Sequence, residues 1–214
     1  MSTPSIQFGE RTYLSSQRHF NDIATLFIGL AGFNAATAMF SPSPSPLQRF
    51  DANHPLVLTG RVAHARFLVH GLMTGVAQNI WPATLTLELT AGTTPANLAS
   101  GGVQLQSDAV TNMVVQLVGT AFLRYYERNA DRPKNAFGGH PKTWPDLWRF
   151  AWLLRNAIAH SDTWSIRDPS IPLTVWRGIE VRPSDDGSRW FDHGRFLGGG
   201  DVIALLEELD ASPI

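Results

Sequence analysis

Arg155, Asn156 and His160 are the residues whose types and spacing offer a chemistry. They lie in the run Leu154-Arg155-Asn156-Ala157-Ile158-Ala159-His160. This run closes residues 143–160, which read as a helix: Thr143 can cap it, Pro145 suits its first turn and Asp146 complements its positive end. At about 100° per residue, Leu147, Ala151, Leu154 and Ile158 form one stripe, while Arg149, Leu153, Asn156 and His160 form another. Asn156 and His160 are one turn apart and can meet. Arg155 projects about 140° away from His160, a gap that its long side chain can close. A cation and an amide in a helix otherwise built of Trp, Leu, Ala and Ile each cost desolvation if buried without a partner. Two readings are open. Either the polar groups sit at the solvent edge and His160 satisfies the last carbonyls, or they converge on a groove. In a groove, the imidazole could move a proton to or from a ribose 2′-hydroxyl or a leaving 5′-oxygen. The guanidinium would stabilise the charge on pentacoordinate phosphorus, with no metal required.

Weaker candidates lie elsewhere. Residues 55–81 read as a second helix, on which Arg66 and His70 form an i,i+4 pair near Arg61 and His64. Arg66, His70 and Arg149 are the residues expected to touch RNA phosphate. No His/Cys/Asp/Glu spacing of a metal site is present, and His140 and His193 fall in loop-like contexts, so no metal or cofactor is expected. Gly198-Gly199-Gly200 lacks the Lys-Ser/Thr of a phosphate-binding loop and reads as a break before an Asp201-capped helix. Ser161-Asp162 beside His160 has no nucleophile elbow around it. Arg124, Tyr125, Tyr126 and Arg128 cluster at the end of a third helix, residues 106–129. They read either as a base-stacking, phosphate-holding group or as core aromatics under a solvated basic face.

These elements belong to a chain of 214 residues, 43% hydrophobic, 10% aromatic and 16% charged, with 7 Trp. That suffices for one medium domain with a real core and excludes disorder over most of the length. With 0 Cys, disulfides, zinc fingers, iron–sulfur clusters and thiol nucleophiles are excluded, and a cytoplasmic location is expected. The net charge of −1 carries no global nucleic-acid signature, although basic residues, nearly all Arg, concentrate in the second half and residues 201–214 are purely acidic. No secretory leader is visible. Residues 23–40 are apolar but Ala- and Gly-rich, and read as a buried helix rather than a membrane span.

Residues 15–40 form the first predicted helix, Ser-Pro-Ser-Pro-Ser-Pro at 41–46 a loop, residues 85–89 a short strand or extended segment, and residues 131–141 a connector. Residues 174–181 read as a strand, Asp186-Gly187 as a hairpin turn and residues 189–191 as its return. The expected fold is therefore mainly α, an up-and-down helical bundle with a small β-hairpin near the C-terminus. It forms a single domain, 1–214: residues 1–46 make the first helix and loop, 55–161 the core helices, and 172–214 the hairpin and last helix.

The run from Leu154 to His160 resembles the R-x(4–6)-H signature of HEPN domains, in which a polar residue such as Asn follows the Arg. The resemblance implies an all-α, HEPN-like bundle that dimerises so that two motif helices share one cleft. It implies that Arg155 and His160 are the catalytic pair, oriented by Asn156. It also implies a metal-independent endoribonuclease acting on single-stranded RNA, of the kind found in toxin–antitoxin and phage-defence systems, with an antitoxin or defence-complex protein as a further partner. Some HEPN-like proteins lack nuclease activity, so a non-catalytic dimerisation module is the second reading.

Overall fold

The computed structural model describes residues 6–40, 55–67, 72–92, 108–160, 162–192 and 194–214. Among these, six strands and six helices form a mixed α/β fold. This corrects the expected mainly-α bundle: a four-stranded antiparallel sheet in the order β1-β4-β3-β2 is built from the first half of the chain. Its strands are β1 (Gly9–Leu14), β2 (Leu56–Leu58), β3 (Ala63–Phe67) and β4 (Thr84–Ala91).

The predicted helix over residues 55–81 is in fact β2, β3 and a short helix α2 (Leu72–Ala77). The physical reason is that the segment is too short in each strand for its period to show. A helical stripe runs through Val57, His64 and Leu72 in the sequence, whereas β3 turns Ala63, Ala65 and Phe67 to the core, a period of two too short-lived over five residues to stand out. Pairing with β4 decides the matter: Ala65 faces Leu89 and Phe67 faces Leu87, and all four side chains are buried. β4 itself alternates, with Leu85, Leu87 and Leu89 inward, as residues 85–89 suggested.

Helix α1 (Phe20–Phe40) begins five residues later than predicted, because β1 and a turn come first. It buries Phe20, Ile23, Ala24, Phe27 and Leu30 and packs on α3 (Asp108–Asn129). No helix among the described residues is long and apolar enough to cross a membrane. The connector over 131–141 contains a further helix, α4 (Asp131–Phe137). The motif helix α5 spans Asp146–Ala159. Thr143 does not cap it but sits in a preceding 3-10 turn (Pro141–Thr143), and Pro145 holds the N-cap position.

The predicted hairpin folds one turn earlier. β5 (Thr174–Trp176) and β6 (Ile179–Val181) join through Arg177-Gly178, both at positive φ (50° and 77°). That is the backbone a two-residue hairpin loop requires. Residues 189–191 make only isolated bridges, Thr163 to Arg189 and Phe191 to Leu197.

Helix α6 (Gly199–Ala211) runs through the middle, and every residue from Gly199 to Leu209 is buried. The triple glycine permits this position: a Cβ on Gly200 would lie 2.6 Å from the Leu58 carbonyl oxygen, so only glycine lets the helix start against β2 and β3. Asp201, fully buried, accepts backbone N–H bonds from Arg61 (2.7 Å), Val62 (2.6 Å), Ala63 (2.9 Å) and Gly198 (2.9 Å). One carboxylate thus caps α6 and pins the β2–β3 turn.

Candidate functional site

α3 and α5 pack antiparallel, and their seam carries the motif. Glu127 lies opposite Arg155, Gly119 opposite Ile158, and Gln116 opposite Asp162 just beyond α5. A Cβ on Gly119 would come 3.0 Å from Ile158 Cγ2, so this glycine sets how closely the helices approach. Leu147, Ala151 and Leu154 face the core as the stripe predicted. Ile158 is half-buried and Leu153, from the polar stripe, is buried too, so α5 is more enclosed than a surface helix.

Arg155 is 35% exposed. Its Nε donates to Glu127 Oε1 at 2.7 Å and its Nη1 to Asn156 Oδ1 at 3.3 Å. Arg155 and Asn156 are therefore joined. Glu127 is 51% exposed, and an ion pair in such a setting contributes only about 0–1 kcal/mol. The guanidinium is held in place yet exchangeable for a phosphate, which accepts charge-assisted bonds.

His160 is the C-cap residue. Its backbone N–H donates to the carbonyls of Asn156 (3.0 Å) and Ala157 (3.3 Å), so the main chain, not the imidazole, closes the helix. The side chain is exposed and takes no hydrogen bond among the described residues. The chain after it is fixed by Asp162, which sits at φ 60°, a left-handed conformation that Asp tolerates. Asp162 accepts from Gln116 Nε2 at 2.6 Å and from Trp190 Nε1 at 3.3 Å. Thr163 Oγ1 donates to the His160 carbonyl at 3.4 Å. At the seam, Tyr126 is buried, and that burial pushes its phenol well above the usual tyrosine range although the Arg155 charge opposes the shift.

The other predicted contacts lie apart. Arg149 is buried: its Nε donates to Thr174 Oγ1 (2.8 Å), its Nη1 to the carbonyls of Lys142 (3.2 Å) and Trp144 (2.9 Å), and its Nη2 pairs with Asp146. It ties the start of α5 to β5 and has no free donor edge for RNA. Arg66 is on β3, 3.6 Å from Glu88 of β4, and among the described residues no hydrogen bond or ion pair links it to α5. His70 and His193 lie outside the described residues. Tyr125 and Tyr126 are core, while Arg124 and Arg128 turn to Asp22 of α1.

Sequence reasoning missed Glu127, because only the α3–α5 packing brings it to Arg155. It also missed a buried polar set joining β1, α1 and α6. There Tyr13 donates to Glu207, Arg11 Nη1 bonds Glu207 at 2.7 Å, and His19 Nδ1 lies 3.3 Å from Asp210 at an angle too poor for a hydrogen bond. Burial, partly offset by Arg11, raises Glu207 to about 7. Among the described residues no group of three or more His, Asp or Glu is placed to hold a metal ion.

A scan against protein-family models matches none, and searches of the curated proteins and of the solved structures return no match either.

Proposed function

We propose that the chain is a metal-independent endoribonuclease whose reactive groups are Arg155, Asn156 and His160. The observation that supports this reading is the state of His160. Among the described residues it is an exposed imidazole with no side-chain partner, one helical turn from an Asn156–Arg155 pair whose one counter-ion is the surface carboxylate of Glu127. The six-residue resemblance to the HEPN signature adds the residue pattern alone, because the all-α HEPN-like bundle it implies is not the fold of this chain.

In the reaction, the ribose 2′-oxygen loses its proton and bonds to the adjacent phosphorus, and the phosphorus–O5′ bond breaks. The 5′-oxygen takes up a proton and leaves as a hydroxyl. The products are a 2′,3′-cyclic phosphate end and a 5′-hydroxyl end. His160 carries one of the two protons. Arg155 stabilises the added charge on phosphorus once the phosphate replaces Glu127, and Asn156 holds its Nη1 in place. A second copy of the chain, and an antitoxin or defence-complex partner, belong to this same reading.

The test is to incubate the purified protein with single-stranded RNA in excess EDTA. Cleavage leaving 2′,3′-cyclic phosphate ends is expected. Intact RNA, or ends of another kind, would contradict the reading. In that case the Arg155–Glu127 ion pair favours the second one, a non-catalytic interaction module in which the guanidinium only joins α3 to α5.

A further inference from the structure

The charged residues of α3 divide between its two flanks. Arg124 and Arg128 turn toward α1. Arg128 pairs there with Asp22, and Arg124 Nε lies 3.7 Å from the same carboxylate. Asp22 is fully buried, whereas Arg124 and Arg128 are 53% and 46% exposed. The acid therefore lies beneath the surface and the two guanidinium groups lie over it. Arg128 also donates to the Arg18 carbonyl at 3.2 Å, which places Arg18 beside it. Arg18 is exposed, and its guanidinium makes no ion pair among the described residues. On the opposite flank Glu127 reaches Arg155. Asp131, one turn beyond, is taken up by Lys134. Among the described residues, four guanidinium groups, from Arg18, Arg124, Arg128 and Arg155, lie over this ridge, against the exposed carboxylate of Glu127, the buried Asp22 and the partly exposed Asp210 near Arg18.

We propose that this ridge binds the phosphodiester backbone of single-stranded RNA and leads it to Arg155. The proposal rests on the ribonuclease reading and adds to it the surface that takes up the substrate. Arg124 and Arg128 are one helical turn apart, about 6 Å along the axis, so they can serve successive phosphates of one strand. Arginine presents a planar fork that suits phosphate oxygens. A single strand fits better than a duplex, because the neighbouring chemistry requires a 2′-hydroxyl and a backbone free to bring it in line with the leaving oxygen. Glu127, between the arginines and the motif, is the group the incoming phosphate displaces.

The test uses His160→Ala protein, so that binding is read apart from cleavage, with a fluorescein-labelled single-stranded RNA and anisotropy at several salt concentrations. Arg18→Gln/Arg124→Gln leaves Arg128 on Asp22 and is expected to fold normally. Each lost phosphate contact lowers the slope of log K against log salt by about 0.7, so the double variant should lose about 1.4 in slope and bind roughly 25-fold more weakly at 0.1 M salt. Arg182→Gln, on an exposed arginine that pairs with Glu180 after β6, should bind as the parent does. Unchanged binding in the double variant would overturn the ridge. So would an equal loss on double-stranded DNA of the same length, which would make the ridge a general polyanion surface. Ridge-dependent RNA binding in a wild-type protein that cuts nothing would remove the ribonuclease reading and leave the ridge standing.

Discussion

Two helices of this chain carry polar residues at or near their termini, and they treat them in opposite ways. In α6, Asp201 accepts four backbone N–H bonds, Glu207 binds Arg11 and Tyr13, and Glu208 binds Trp176 Nε1 at 2.8 Å as well as Arg177. All three acids are buried. At the end of α5, Arg155 has one exposed counter-ion and His160 has no side-chain partner among the described residues. Burying a charge is tolerable only with partners, so the α6 acids explain themselves as structure. The α5 groups are at least partly exposed, so no such demand for partners falls on them, and the Arg155–Glu127 pair joins α3 to α5; the ribonuclease reading is a proposal about them.

This contrast can be tested by substitution, and the largest effect belongs to α6. Asp201→Ala leaves several buried N–H groups unpaired and removes a helix cap, so a loss of about 3–5 kcal/mol is expected in urea unfolding. A loss below about 1 kcal/mol would mean that the β2–β3 turn does not depend on it.

The next effect is one of pH. Glu207, raised to about 7 by burial, keeps its proton in the folded state at pH values where the unfolded chain, near 4.5, has lost it. The folded protein then binds more protons between pH 4.5 and 7. Its contribution to stability is full below 4.5 and is lost as pH rises through 7, on the order of 3 kcal/mol across the window. Asp210, held below the usual carboxylate range, acts in the opposite sense and only at more acidic pH. Melting temperatures of Glu207→Gln measured from pH 5 to 8 should vary less than those of the wild type. An unchanged slope would assign the dependence to another group.

At the α5 end the stability effects are small. Glu127→Gln and His160→Ala are each expected to stay within about 0.5 kcal/mol of the wild type. Glu127→Gln should also tighten binding of single-stranded RNA, because it removes the carboxylate that competes for Arg155. Weaker binding would make Glu127 a positioning residue for that guanidinium.

The same contrast marks what the sequence made legible. α3 and α5 show a helical period over many residues, and the structure places them within a few residues of the expected spans. The sheet was hidden for two reasons. Strands of three and five residues in 55–67 are too short to show a period of two, and the partner that selects a strand, β4, lies outside the segment. The hairpin shifted because Asp186-Gly187 carries a familiar turn signal while Arg177-Gly178 carries only its glycine. Of the site, Arg155, Asn156 and His160 stand within six residues and could be read locally. Glu127 is 28 residues from Arg155 and meets it only through packing. The tripled glycine read as a break, yet Gly199 and Gly200 are the first residues of α6 and only Gly198 precedes it; the glycines allow the approach of α6 to β2 and β3, which no local pattern encodes.

The most direct test of the site is the single-turnover rate of RNA cleavage in EDTA by His160→Ala beside the wild type, with matched melting temperatures. A rate lowered by roughly 10²–10⁴-fold at unchanged stability is the predicted result. A variant that cuts as fast as the wild type would contradict it.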